Sequence, residues 1–217
     1  MSKVFIIGGA GNIGRHLCKY LALHGHAARP LHRRPEQAET LRALGAEPVQ
    51  GDLLQLDDTA LASLMQGSDV VVFTAGAGGK GGEAMTNAID GQGLEKAVAA
   101  AQLAGVQRFL LVSAFPEAAR GKALSETFEN YMRVKKAADV TLAASALQWV
   151  IVRPGTLTDD PGSGHVQAGL AIPYGNIPRE DVAGFLAALV DEPRVKRVII
   201  ELTAGATPIA DAVATFA

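Results

Sequence analysis

A single cysteine, Cys18, stands in this chain of 217 residues, so no internal disulfide forms and stability has to come from packing. Charge is sparse: Asp, Glu, Lys and Arg make up 19% of the residues and the net charge is -2, which gives no basic face for nucleic acid or anionic lipid. Long apolar runs are missing too. The most apolar stretches, 69–77 and 97–106, fall well short of the ~20 residues that a bilayer span needs. The opening Met1-Ser2-Lys3 leads straight into a strand-like run, without the separate charged and apolar regions of a signal peptide. None of the five histidines has metal-site spacing; His24 and His26 are two apart and have no carboxylate cluster beside them in sequence. The expectation is a cytoplasmic protein without a metal, a membrane span or a nucleic-acid partner.

Apolar residues and glycine are what the chain has in quantity, 48% hydrophobic with 24 glycines, the profile of one packed domain. Strand and helix patterns alternate from end to end. Val4-Phe5-Ile6-Ile7 reads as a buried strand, 12–24 as an amphipathic helix stopped by Gly25, and 26–31 as a second strand. A helix is expected over 35–44, a short strand over 47–50, a helix over 57–66, and a Val-rich strand over 69–74. Further on, the spacing predicts one helix over 84–104, a strand over 108–112, a helix over 125–145 and a strand over 148–152. Residues 154–178 are rich in Gly, Pro and Asp and read as one long loop, followed by a helix over 180–191 and a strand over 195–202. Such alternation means an α/β domain: a Rossmann-like, doubly wound parallel sheet with helices on both faces.

The chemistry begins at Gly8-Gly9-Ala10-Gly11-Asn12-Ile13-Gly14, which lies between the first strand and the first helix. Glycines there permit a tight turn and a close backbone approach to pyrophosphate, and the helix start presents free N–H groups to that anion. Gly8, Ala10, Gly11, Asn12, Ile13 and Gly14 are therefore candidate cofactor contacts. The second strand ends Leu31-His32-Arg33-Arg34, where an NAD site has a carboxylate for the ribose 2′-hydroxyl. Arg33 and Arg34 suit a 2′-phosphate instead, so NADP(H) is expected over NAD(H). Asp52 and Leu53 after the third strand, with Ala75, Gly76 and Ala77 after the fourth, complete one side of the crevice.

Together these residues resemble the atypical short-chain dehydrogenase/reductases, in particular the small NAD(P)-binding proteins similar to NmrA and to flavin/biliverdin reductase B. The resemblance is carried by the glycine loop, Gly51-Asp52, the run from Arg108 to Ser113, Tyr131-Met-Arg-Val-Lys135, Arg153-Pro154-Gly155 and the run from Pro178 to Ala183. It implies a catalytic set of Ser113, Tyr131 and Lys135, with Lys135 also on the nicotinamide ribose, and Pro154 and Gly155 beside the nicotinamide. Four-residue spacing puts the Lys135 ammonium beside the Tyr131 phenol on one helix face, where it would lower the phenol's pKa. The same spacing also fits a solvated lysine in a charged patch with Arg133 and Lys136. Thr158-Asp159-Asp160-Pro161-Gly162 reads as turn chemistry and His165 as an exposed loop residue.

Two functions stand foremost, ahead of an isomerase or epimerase that uses the cofactor transiently, since extended family members of that kind have longer C-terminal substrate domains than the residues left here after the sheet. One is an NADPH-dependent oxidoreductase passing hydride to a small carbonyl, quinone or flavin-like acceptor; the other is a non-catalytic NADP(H) sensor of the NmrA type. The substrate region is expected in 78–83 and 154–178, and the protein is expected as a monomer or weak homodimer.

Overall fold

The computed structural model describes residues 1–119, 121 and 123–217. Its strands carry apolar residues on both sides, so the sheet they form is covered on both faces. The chain runs β1 (Lys3–Ile7), α1 (Asn12–Leu23), β2 (Ala27–His32), α2 (Gln37–Ala43), β3 (Val49–Gln50), α3 (Asp58–Met65) and β4 (Val70–Phe73). Then follow α4 (Gly82–Thr86), a π-helical turn (Asn87–Gln92), α5 (Gly93–Leu103), β5 (Arg108–Val112), α6 (Glu126–Ala143) and β6 (Gln148–Pro154). The last third holds β7 (Thr156–Thr158), β8 (His165–Gly169), β9 (Asn176–Pro178), α7 (Arg179–Asp191), β10 (Val198–Ala204), β11 (Thr207–Pro208) and α8 (Ile209–Ala214).

Among the described residues the main sheet has the order β11-β8-β10-β6-β5-β4-β1-β2-β3, parallel from β10 to β3, with β8 and β11 antiparallel at one edge. The winding reverses where β1 lies between β2 and β4, and a crevice opens there at the carboxyl ends of the strands. Side-chain alternation divides the core in two. Val4, Ile6, Val70, Val72, Leu110 and Val150 face α1 and α7, while Phe5, Ile7, Val71, Phe73, Phe109 and Ile151 face α3, α5 and α6. In α1, Ile13, Leu17, Cys18 and Leu21 are buried at helical spacing. Burial pushes the Cys18 thiol up to about 12, which makes it an unreactive core residue.

Three expectations are corrected. The helix expected over 84–104 is present without a break from Gly82 to Leu103 but is not regular: α4 and α5 are joined by the π-helical turn of 87–92, in which Asp90 is buried. The third strand shrinks from four residues to Val49–Gln50. The stretch 154–178 is not a structureless loop: β7 and β9 pair with each other, and β8 adds antiparallel to β10. Carboxylates of α7 hold this stretch in place. Gly162 N–H donates to Glu180 at 2.9 Å, and the Asp181 carboxylate accepts from Ser163 N–H at 3.0 Å and Gly164 N–H at 2.8 Å.

Helices α1 and α7 lie side by side and run in the same direction. His16 lies 3.9 Å from Glu180 near their starts, and Asp191 at the end of α7 bonds both His24 and His26 at 2.7 Å. Beneath the end of α7, the buried Arg108 of β5 donates to the carbonyls of Leu189 and Val195 at 2.8 Å and to those of Glu192 and Pro193. The guanidinium thus ties β5 to the last turn of α7 and the loop after it, adding a donor to the Leu189 and Glu192 carbonyls, which also accept from the Glu192 and Val195 N–H groups, and serving the Pro193 and Val195 carbonyls beyond the helix. Replacing Arg108 with Leu is expected to destabilise the protein by about 2–4 kcal/mol, since the Pro193 and Val195 carbonyls lose this donor and the tie between β5 and the end of α7 is cut. Thermal melting should fall by roughly 5–15 °C for a chain of this size; an unchanged midpoint would show that water satisfies those carbonyls instead.

Candidate active site

The glycine loop is shaped by contact with its neighbour strand. Gly8 has φ +87°, and a Cβ there would lie 2.5 Å from the backbone nitrogen of Ala75, so both conformation and space demand glycine. Gly14 faces the loop from the other side, where a Cβ would lie 2.5 Å from the Gly8 carbonyl oxygen. Its role is thus packing of α1 against the loop. Gly11 caps α1 without a side-chain hydrogen bond, so the first-turn N–H groups face the crevice.

That crevice is a cleft of about 740 Å³, and the placement of the expected residues in it is uneven. Gly8, Ala10, Gly11, Asn12, Ile13, Arg33, Asp52, Leu53, Ala75, Gly76, Ala77, Ser113, Tyr131 and Lys135 all line it. Arg34 lies in an adjoining depression with Ala10, Arg15 and Gln37, and its Nε is 3.4 Å from Glu36. Pro154 and Gly155 do not line the cleft. Both are buried: Pro154 pairs with Leu202 in the sheet, and Gly155 N–H donates to the Leu202 carbonyl at 2.9 Å. Leu157 and Arg179 line the cleft as well.

Each wall is held by specific bonds. His32 is buried and its Nδ1 meets the Arg34 carbonyl at 3.1 Å, which fixes the turn that presents Arg33. Asp52 accepts from Leu54 N–H at 3.0 Å with one oxygen, leaving the other to the cleft. Lys96 of α5 donates to the Leu53 carbonyl at 2.8 Å and braces that segment. At the far end, Arg153 Nε donates to Asp139 at 2.9 Å, so the arginine of the Arg-Pro-Gly tract ties β6 to α6.

Tyr131, Lys135 and Asp139 follow one another at four-residue spacing on the inward side of α6. Lys135 does not belong to an exposed charged patch: it is 4% exposed, donates to the Val112 carbonyl at 2.9 Å, and lies 3.5 Å from Asp90. Asp90 is 2% exposed, and its second oxygen accepts from Ala77 N–H at 3.0 Å. No periodicity marks Asp90 in the sequence. It sits mid-helix, and only the π-helical turn brings it to the ammonium.

This pairing reverses the expectation for Tyr131. Burial, with Asp90 and then Asp139 nearby, pushes the phenol up to about 12 rather than down. Lys135 fails to acidify it because its charge is already balanced by Asp90. Ser113 donates its N–H to the Val152 carbonyl at 2.7 Å, while its buried hydroxyl has no partner among the described residues. A buried hydroxyl in a cleft wall is costly unless a ligand bonds it. The size of the cleft, the uncapped helix start and this hydroxyl all fit a dinucleotide with a polar acceptor beside it.

Comparison with known proteins defines the class. Residues 8–193 match the NAD(P)H-binding family model, and the chain belongs to that family. It is 39% identical over 211 residues to the Bacillus subtilis protein named uncharacterized sugar epimerase YhfK, covering 97% of this chain and 98% of that one. It is 31% identical over 198 residues to the 4-hydroxy-2-methyl-3-oxo-4-farnesyl-3,4-dihydroquinoline-1-oxide ketoreductase of Stigmatella aurantiaca, covering 90% of this chain and 56% of that one. A solved structure assigned as an NAD-dependent epimerase/dehydratase from Bacillus halodurans superposes with a TM-score of 0.91 at 31% identity, covering 99% of this chain and all of the other. The resemblance to atypical short-chain dehydrogenase/reductases and NmrA-like proteins is upheld.

The raised phenol has a consequence for stability. In the unfolded chain Tyr131 ionises near 10, whereas the folded protein holds the proton to about 12. Stability from this group is therefore complete below 10 and is lost as pH rises through about 12. Urea denaturation at about pH 9 and about pH 11 should show a smaller loss in Tyr131→Phe than in the parent protein. Equal losses would mean that the phenol is not desolvated.

Proposed function

We propose that this protein is an NADPH-dependent reductase that passes hydride to a small carbonyl, quinone or flavin-like acceptor. One observation carries the reading: a single cleft joins the glycine loop and Arg33 at one end to Ser113, Tyr131 and Lys135 at the other. Bound NADPH supplies the hydride. The Ser113 hydroxyl, unpartnered in the cleft wall, holds the acceptor oxygen. Tyr131 then donates its proton to that oxygen as negative charge grows on it. Of the three ammonium protons of Lys135, two are engaged by Val112 and Asp90, and the third is free for a ribose hydroxyl. A phenol held at about 12 is protonated throughout the neutral range, the form required of a proton donor and not of a base.

Preference for the 2′-phosphate rests on Arg33. It is exposed at the cleft edge, makes no ion pair among the described residues, and no carboxylate stands at the end of β2 itself, the nearest in sequence being Glu36, which lies against Arg34. The buried free Cys18 accords with a cytoplasmic setting. A non-catalytic NADP(H) sensor shares the cofactor end of the cleft but has no use for the unpartnered Ser113 hydroxyl, which favours the enzyme.

Two measurements test this. Arg33→Ala should weaken NADPH binding by about 10- to 100-fold, the worth of charge-assisted hydrogen bonds, and leave NADH within about twofold. Tighter binding of NADH than NADPH by the parent protein would sink the 2′-phosphate assignment. NADPH oxidation should be seen with at least one member of a panel of quinones, flavins, dicarbonyls and aldehydes, and Tyr131→Phe should lower that turnover by about 100-fold or more. Tight NADPH binding without turnover on any of them would point to the sensor.

A further inference from the structure

The run from Pro178 to Ala183 carries the family resemblance, but the cation it brings to the cleft wall has been given no role so far. Arg179, the first residue of α7, lines the cleft together with Gly11, Asn12 and Ile13. The parallel course of α1 and α7 sets the start of α7 near the start of α1. Glu180, the next residue, lies 3.9 Å from His16 on the second turn of α1, so the first residue of α7 lies near the start of α1, whose first-turn N–H groups no side chain caps.

The partner of Arg179 is an outlying one. Its Nη1 donates to Asp159 at 2.8 Å, and the Asp159 side chain is 76% exposed. Ion pairs at such exposure are weak, because water competes for both charges and salt screens them. The backbone around Asp159 is firmly held by contrast, since Glu180 and Asp181 bind Gly162, Ser163 and Gly164. Releasing Arg179 therefore requires only that one exposed carboxylate turn back to solvent. The guanidinium is an anion-binding group kept in position by a partner that a stronger anion displaces.

We propose that Arg179 binds the pyrophosphate of the dinucleotide, exchanging Asp159 for phosphate oxygens as the cofactor enters. The proposal rests on the reading of this cleft as a dinucleotide site. Its chemistry is that of guanidinium for a phosphate diester: two parallel N–H donors match two oxygens, next to helix N–H groups that share the same anion. Pyrophosphate is common to NADPH and NADH, so Arg179 contributes equally to both, whereas Arg33 discriminates between them. Asp159 competes with the ligand, and its removal tightens binding.

Nicotinamide fluorescence titrations with NADPH and NADH test this on the parent protein, Arg179→Met and Asp159→Asn, with circular dichroism melts to verify folding. Arg179→Met should weaken both dinucleotides by a similar factor of about 10 or more. Asp159→Asn should tighten both by up to about fivefold, an effect a merely structural pair would not produce. If Arg179→Met does not fold, the Asp159→Asn arm decides alone. Unchanged affinity in both variants would overturn the assignment while leaving the dinucleotide site intact, as would a loss confined to NADPH. Unchanged cofactor affinity with a raised acceptor KM would overturn it too, giving the guanidinium to an acidic substrate. A parent protein that binds neither dinucleotide would overturn the reading of the cleft and this proposal together.

Discussion

Two charges taken out of water have to be paired, and beneath the cleft Lys135 and Asp90 meet this demand at 3.5 Å. The rest of the site is arranged around the pair. Asp90 reaches Lys135 only because the helix after β4 widens to a π turn, and its other oxygen takes the N–H of Ala77 just past the same strand. Lys135 in turn holds the carbonyl of Val112, one residue before Ser113. The ends of β4 and β5 and the inward side of α6 are thus bound to one buried charge pair. An ammonium buried here without the carboxylate would be uncompensated, at a cost of several kcal/mol. The irregular helix is the cheaper solution.

The same pair sets the character of Tyr131. An ammonium shared with a carboxylate has little field left to stabilise a phenolate, and Asp139 on the next turn adds negative charge. Four-residue spacing delivers the geometry expected of a lysine beside a tyrosine, but not the electrostatics. What acts on the phenol is the net charge near it, and that includes a residue 45 positions upstream of Lys135.

Much of the fold was legible because its signals are local. Val4 to Ile7 and Val70 to Phe73 are apolar without interruption, as strands covered on both faces must be, and each glycine that ends a helix falls where the chain turns. Gly8 was legible for a similar reason: its requirement comes from the loop's own conformation. What stayed hidden depends on distant partners. β7, β8 and β9 are three to five residues long and exist only through pairing with each other and with β10, which no window of sequence records. Asp90 and Arg179 are single polar residues with no periodic mark, and their importance comes from what the fold places opposite them. Pro154 and Gly155 show the converse: a distinctive tract whose residues complete the sheet while Leu157, a few positions on, faces the cleft.

Relatives of this chain bear the names of an epimerase and of a ketoreductase, and those two chemistries ask opposite things of a tyrosine. Epimerisation through a transient ketone starts by taking a proton from a hydroxyl, so its resting enzyme needs a phenolate or another base. Reduction starts by giving a proton and needs the phenol intact. A tyrosine held at about 12 beside two carboxylates is nearly all phenol at neutral pH, and making it a base costs free energy in proportion to the gap. An oxidised, positively charged nicotinamide ring would narrow that gap, whereas a reduced, neutral one leaves it whole. The resting charge distribution built by Asp90, Lys135 and Asp139 therefore keeps the phenol protonated until a cofactor enters, and the charge that the nicotinamide ring brings decides how much of the gap remains.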